Sequence, residues 1–226
     1  ALNDADALIT QLEKLIAKKR LIKQGAMQQL LKPKPGWQTK KFGEIAEFFS
    51  GGTPSTSVPS YYGGNIAWIT SSDLNKGKIY DVENRITEEG LNNSAARMIK
   101  KDTLLLALYG ATAGVTAISY IDAAINQAVL AIIPTSANKL YLFYKLSSIK
   151  SWLVNTFTQG GQANLSGRII KSIELPFPCV EEQNRIAQIL SDMDVELDAL
   201  EARLAKYKQI KQGMMQTLLT GKVRVL

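Results

Sequence analysis

Three polar, glycine-bearing stretches hold the residues best suited to chemistry: Ser50 to Ser60 (SGGTPSTSVPS), Thr70 to Asp73 (TSSD) and Thr158 to Arg168 (TQGGQANLSGR). Glycines such as Gly51, Gly52 and Gly160 let a backbone come close to a phosphate. Ser50, Thr53, Ser55, Ser71, Ser72, Gln159, Gln162, Asn164 and Arg168 add donors and acceptors that match phosphates and base edges. Two basic doublets, Lys40-Lys41 and Lys100-Lys101, are of a kind that holds a phosphate backbone. Taken singly, each loop also reads as an ordinary solvated turn and each doublet as a common exposed pair. Asp73 equally reads as the cap of a turn through Asn75 to Gly77.

What is missing narrows the chemistry further. The 226 residues contain no histidine, which removes Ser-His-Asp and Cys-His nucleophile arrangements, His-Cys zinc sites and histidine general bases together. There is no GxxxxGK[ST] loop, and Gly110-Ala111-Thr112-Ala113-Gly114 lacks the G-x-G-x-x-G spacing, so no nucleotide cradle is visible. No Asn-Pro-Pro or Asp-Pro-Pro tetrapeptide marks an adenine-amino methyltransferase centre. No catalytic residue, metal site or cofactor of its own is expected.

The 27 Lys+Arg against 20 Asp+Glu leave a charge of +7, a balance that suits nucleic acid without proving it. Hydrophobic residues at 46 % and charged residues at 21 % are those of a folding globular chain. The length allows one sizeable core plus an appendage. The uncharged stretch from Thr103 to Tyr120 is broken by Gly110 and Gly114 and carries three threonines and a serine, so no membrane span is expected. No signal sequence opens the chain, and Cys179 is the single cysteine, which excludes an internal disulfide and fits a reducing cytoplasm.

The elements that must position the polar loops are framed by an internal repeat. At an offset of 188 residues, 14 positions between Asp4 and Leu31 recur identically between Asp192 and Leu219, among them the run Lys23-Gln24-Gly25 as Lys211-Gln212-Gly213. In the second copy Ile186, Leu190, Met193, Leu197, Leu200, Leu204, Tyr207, Lys211, Met214 and Leu218 alternate in steps of four and three, a heptad seam. The first copy carries Leu2, Ala5, Ile9, Leu12, Ile16, Ala26 and Leu30, interrupted by Lys19 and Lys23. From Glu181 to Leu219 such a helix is about 58 Å long at ~1.5 Å per residue, too long for one small domain to cover. Residues 181–201 hold seven acids and one base and residues 202–226 six bases and no acid, and the first copy grades the same way. Antiparallel pairing sets acid beside base, although the gradient also suits the helix dipole. Gly25 and Gly213, kept inside both copies at ~1 kcal/mol each, point to close helix approach or a bend.

Pro33 and Pro35 end the first helix, and Pro176 and Pro178 precede the second. The expected organisation is a first long helix over 1–32, a globular domain over 33–178 and a second long helix over 179–226. Within the domain Asn65–Thr70, Thr103–Tyr109, Val115–Tyr120 and Val129–Ile133 read as strands, and Leu140–Thr156 as a helix. The fold class is α+β: a globular mixed α/β domain flanked by two long helices forming an antiparallel coiled coil.

The framing stretches EEQNRIAQILSDMD and KQGMMQTLLTGK, with GGTPS, YYGGNIAWITSSDL, INQA and GGQANLS before a Pro-containing ELPFP, together resemble the specificity subunit of type I restriction-modification enzymes. The resemblance covers nearly the whole chain, and its specificity lies in the order and spacing of pieces that are each weak. It implies a full subunit with two target-recognition domains alternating with two helices. Each domain would read one part of a bipartite double-stranded DNA target. The resemblance also implies two modification subunits that bind S-adenosylmethionine and methylate adenine, with a place for a restriction subunit.

Helix, domain, helix then looks like the second half of such a subunit or a half-sized relative. The first copy starts at Ala1 without a counterpart of EEQNRIAQI, which suggests truncation or an engineered start. A homodimer is expected, since a twofold arrangement would rebuild the full-length plan. The alternative is that both helices pair within one chain. Two other function classes stay open at this point: an adenine methyltransferase or nuclease acting alone, and a coiled-coil adaptor that binds only protein.

Overall fold

The computed structural model describes residues 2–159, 162–163 and 165–219. It resolves into two compact units, one formed by Pro33–Ala187 and the other by Ala1–Lys32 with Gln188–Leu226. Along the chain run α1 (Leu2–Leu30), β1 (Gln38–Lys41), α2 (Phe42–Ile45), β2 (Ala46–Ser50), β3 (Tyr62–Ile69), β4 (Lys78–Ile79), β5 (Arg85–Ile86), α3 (Glu88–Asn92), β6 (Arg97–Ile99) and β7 (Thr103–Ala107). These are followed by β8 (Thr116–Ser119), β9 (Ala123–Ile125), β10 (Val129–Pro134), α4 (Lys139–Ser148), α5 (Lys150–Thr156), β11 (Thr158–Gln159), β12 (Gln162–Ala163), α6 (Gly167–Ser172), β13 (Glu174–Phe177) and α7 (Val180–Leu219).

The 33–187 unit is built on two sheets. One has the order β2-β10-β7-β8-β4, the other β5-β3-β9-β6, and smaller ladders join β1 to β13 and β11 to β12. The pairs β4–β8 and β3–β9 are parallel and the rest antiparallel. Leu105, Ala107, Ala117, Val129 and Ala131 of the first sheet share a core with Ala67, Ile69, Ile99, Ala123 and Ile125 of the second. The intervening residues Leu104, Leu106, Leu130 and Ile132 are buried as well. They face the helical side, where the Thr116 and Ser147 hydroxyls meet at 2.6 Å between β8 and α4. A sheet covered on both faces needs apolar residues on both, which is why β7 and β10 are continuous apolar runs in the sequence.

The stretch read as one helix from Leu140 to Thr156 is two. Ser147 donates its hydroxyl to the Phe143 carbonyl and Ser148 donates to Lys145, at 2.8 and 2.7 Å, and these bonds compete with the backbone ladder. At Ile149 the chain leaves helical geometry (φ −102°, ψ 7°), and α5 starts after it.

In the other unit α1 and α7 pair antiparallel within the chain. Lys23 pairs with Asp194, Lys19 with Glu196 at 2.6 Å, Arg20 with Glu201 at 2.7 Å, Glu13 with Lys208 at 2.7 Å and Asp6 with Lys211, so that the start of α1 lies against the end of α7 and the later turns of α1 against its earlier ones. Lys19 and Lys23 interrupt the α1 seam and find acidic partners there. Ile9, Leu12 and Ile16 of α1 and Leu190 and Leu197 of α7 are buried, whereas Leu30, Met193, Leu200, Leu204 and Met214 are half-buried. Ile186 is fully buried in the part of α7 that belongs to the sheet-bearing unit, and Leu218 lies in the last turn of α7. The close helix approach expected at Gly25 and Gly213 is absent: a Cβ at either position would meet nothing within 4 Å.

The start of α7 is tied down inside the sheet-bearing unit. Lys34 Nζ donates to Glu182 Oε1 at 2.9 Å and Trp37 Nε1 to Glu182 Oε2 at 3.2 Å. The Lys34 hydrogen bond, more than its charge, holds the Glu182 carboxyl below its usual range. A carboxyl depressed on folding adds stability above its unfolded value, and that stability disappears as pH falls through the folded value. Glu182→Gln is therefore expected to flatten the acid limb of the urea-midpoint profile below pH ~4.5. Parallel wild-type and variant profiles there would show that the group carries no linkage.

Candidate nucleic-acid interface

Four strands of the two sheets end at one rim, and backbone hydrogen bonds stitch their ends together. Gly51, just after β2, donates to the Asn126 carbonyl at 3.2 Å, and Asn126, just after β9, donates to Ile69 at the end of β3 at 3.1 Å. Leu108, just after β7, donates to Ala128 at 2.8 Å and accepts from Leu165 at 2.8 Å. The Ser50–Ser60 loop, the Thr70–Asp73 turn and the segment leading into α6 are thereby brought to one place. They are joined there by Tyr109, the Gly110–Thr112 turn and Asn126-Gln127. Residues 50–60, 109–112 and 126–127 contain no charged side chain.

The glycines are at this rim for a close approach to protein. A Cβ on Gly51 would lie 1.8 Å from the Ile125 carbonyl oxygen, and one on Gly52 would lie 2.6 Å from the Ala95 Cβ. Their N–H groups are committed to Asn126 and Ile125, each at 3.2 Å. Beyond them Thr53 donates its hydroxyl to Gln127 Oε1 at 2.5 Å, the Ser55 and Ser57 hydroxyls meet at 2.7 Å, and the Tyr62 hydroxyl pins the loop through Pro54 O at 2.6 Å. Ser50 is half-buried, while Thr53 and Ser55 are exposed.

The second stretch is a short capped turn. Thr70 donates both its N–H and its hydroxyl to Asp73 Oδ2 at 2.9 Å, which turns the carboxylate inward. Ser72 is exposed and Ser71 half-buried. In the third stretch Gln159 and Gln162 face each other in the β11–β12 ladder, while Gly160 and Asn164 lie outside the described residues. Ser166 caps α6 by accepting from Ile169 N–H at 3.2 Å, and Arg168 is exposed on its first turn.

The basic doublets are placed elsewhere. Lys100 and Lys101 precede β7, at the strand end away from the rim, where Lys100 Nζ donates to Asp122 Oδ2 at 3.0 Å and Lys101 N–H to Asp122 Oδ1 at 2.7 Å. The Lys101 N–H and then the Lys100 side chain hold the Asp122 carboxyl below its ordinary range. Lys41 lies 3.5 Å from Glu174 across the β1–β13 ladder, and Lys40 beside it is half-buried.

Sequence reasoning left three rim residues out of the candidate site: Tyr109, and Asn126 and Gln127 of the INQA stretch. Asn126 and Gln127 interrupt an otherwise apolar run from Ala123 to Ile133, and that polar break was the signal available. Asn126 Oδ1 accepts from Ala128 N–H at 3.0 Å and holds the turn; Gln127 is exposed. Tyr109 is half-buried, and burial pushes its hydroxyl up, so it stays a neutral donor and acceptor. The rim is therefore a hydrogen-bonding surface rich in hydroxyls and amides, held on the ends of strands.

Residues 34–212 match the sequence model of the type I restriction modification DNA specificity domain. The chain is 35% identical over 164 residues to the MjaIX specificity subunit of a type I restriction enzyme from Methanocaldococcus jannaschii, covering 70% of this chain and 38% of that protein. It is 27% identical over 194 residues to the EcoR124I/EcoR124II specificity subunit of Escherichia coli, covering 81% and 48%. The chain thus spans about half the length of the curated relatives it matches. Its fold is that of the HsdS subunit from Thermoanaerobacter tengcongensis, at TM-score 0.65 and 19% identity over 98% of this chain and 56% of that one. It is also that of the type I restriction-modification S subunit from M. genitalium, at TM-score 0.66 and 17% identity over 96% and 58%. The mixed α/β domain flanked by two long helices and this sequence match lead to one assignment: the chain belongs to the family of type I restriction modification DNA specificity domains.

Proposed function

We propose that this chain is a non-catalytic DNA-recognition and scaffold subunit of a type I restriction-modification complex, reading one part of a bipartite double-stranded target. The observation that carries the reading is the convergence of four strand ends on one hydroxyl- and amide-rich rim. Strand ends held by two sheets keep loop donors in place, and neutral donors and acceptors discriminate base edges without the sequence-blind attraction of a lysine patch.

The helix pair is the scaffold. On one flank of its seam Glu13 meets Lys208 and Arg20 meets Glu201. In an antiparallel pair the opposite flank carries Leu15 and Ile22 of α1 and Ile189 and Ile210 of α7, all more than a third exposed. These exposed apolar residues, interspersed with Glu196 and Arg203 of α7, support docking of helices from modification subunits, which would bring S-adenosylmethionine and the methylation chemistry; a restriction subunit would join the assembly so formed. A second copy of this chain in a twofold arrangement would supply the other half-site. Such a complex works in the cytoplasm. Among the described residues no helix is long and apolar enough to cross a membrane.

The test is incorporation of labelled methyl groups into duplex DNA. The chain alone is expected to transfer none and to bind duplex only weakly and salt-sensitively through its overall charge of +7, whereas adding modification subunits restores transfer. Methyl transfer by the isolated chain would overturn the reading.

A further inference from the structure

Gln127 is the exposed side chain of the turn between β9 and β10, and its carboxamide is held rather than free. The Thr53 hydroxyl donates to Gln127 Oε1 at 2.5 Å. Thr53 is itself fixed, since it follows two glycines whose N–H groups are bonded to the backbone beside Gln127. With its oxygen accepting from Thr53, the donors of this amide are its two Nε2 hydrogens.

We propose that Gln127 is a neutral phosphate anchor, donating from Nε2 to a phosphate oxygen of the DNA duplex, with Thr53 as the residue that positions it. The inference rests on the reading of this domain as a duplex-DNA binder. Two arguments favour a phosphate over a base edge. The first is donor chemistry. Phosphate oxygens only accept, which suits an amide whose oxygen is turned to Thr53, whereas paired recognition of adenine needs the amide oxygen and nitrogen aimed outward together. The second is reach. Base edges lie at the floor of a major groove about 8.5 Å deep, and a side chain whose Oε1 is bonded to Thr53 of the same rim is not free to extend into that groove. Its role is then to set the register of the duplex for other side chains that read it.

The experiment uses the full chain and a duplex selected by the wild-type protein from a randomised pool, with a scrambled duplex alongside. Gln127→Leu is expected to weaken both duplexes by the same factor, roughly ten- to hundredfold, the range for a hydrogen bond to a charged group. The slope of affinity against salt stays unchanged, because no cation is removed. Thr53→Val lowers affinity in the same direction and Thr53→Ser restores it, which a merely structural role for Thr53 would not require while thermal unfolding is unaltered. Neutralising one particular phosphate as a methylphosphonate should abolish the difference between wild type and Gln127→Leu. A changed consensus from the randomised pool would make Gln127 a base reader and overturn the anchor, as would unchanged affinity for both duplexes. Failure of the wild-type chain to bind any duplex would instead overturn the DNA reading itself, and the anchor with it.

Discussion

Gly51→Ala is expected to destabilise the sheet-bearing unit by roughly 3 kcal/mol or more, a large value for a single added methyl group. The new Cβ would sit 1.8 Å from the Ile125 carbonyl oxygen and 2.6 Å from its carbon. Both atoms belong to backbone at the end of β9, which cannot swing aside as a flexible side chain can. Relief requires β2 and β9 to separate. That breaks the Gly51–Asn126 and Gly52–Ile125 hydrogen bonds and opens the core shared by Ile69, Ile125 and Val129. Gly25→Ala in α1 carries the opposite sign. Its Cβ meets nothing within 4 Å, so the exchange is expected to add up to ~1 kcal/mol through helix propensity alone. Urea midpoints of the two variants measure both effects. An unshifted midpoint for Gly51→Ala would mean that the two strand ends are not locked at this point.

Exchanging residues 33–178 for the corresponding domain of a relative is expected to replace one half of the recognised target outright. Lengthening the helix pair should instead keep both halves and change only the distance between them. The two helices must be lengthened together, because the ladder from Lys23–Asp194 to Asp6–Lys211 runs across both, and an insertion in one alone would throw these pairs out of register. Four residues add about 6 Å at ~1.5 Å per residue, close to two base pairs at ~3.4 Å each. Four is also near one helical turn, so the seam shifts only modestly. The measurement is methylome sequencing of cells carrying an intact two-domain subunit with either change. A lengthened helix pair that altered the bases read while keeping the spacer would show that ruler and reader have been interchanged.

Local order was legible wherever short-range physics decides it. The runs at Asn65–Thr70, Thr103–Tyr109, Val115–Tyr120 and Val129–Ile133 fall on β3, β7, β8 and β10, since buried strands need such runs wherever they sit in a sheet. The prolines bracket α1 and α7, and the charge gradient along the two helix copies matches the antiparallel ion pairs, because two helices graded the same way set acid beside base only when they run in opposite directions. The break at Ile149 was not legible. It depends on Ser147 and Ser148 turning their hydroxyls back onto carbonyls, while serines elsewhere in a helix can face water.

By itself, then, the sequence determined the repeat, the two long helices, the apolar strand runs, the absence of histidine chemistry and the family resemblance. All of these are carried by residue type, period and order. Only the tertiary structure decided which polar stretches share a surface. Residues 51, 69, 108, 126 and 165 meet because β10 lies between β2 and β7 and because β3 pairs parallel with β9, pairings between segments far apart in the chain. The same pairings send Lys100 and Lys101 to the other end of the strands, beside Asp122, and turn Gly51 and Gly52 toward protein. A loop's composition states what it can bond to, but strand order and direction determine what stands next to it, and that information is spread over the whole domain.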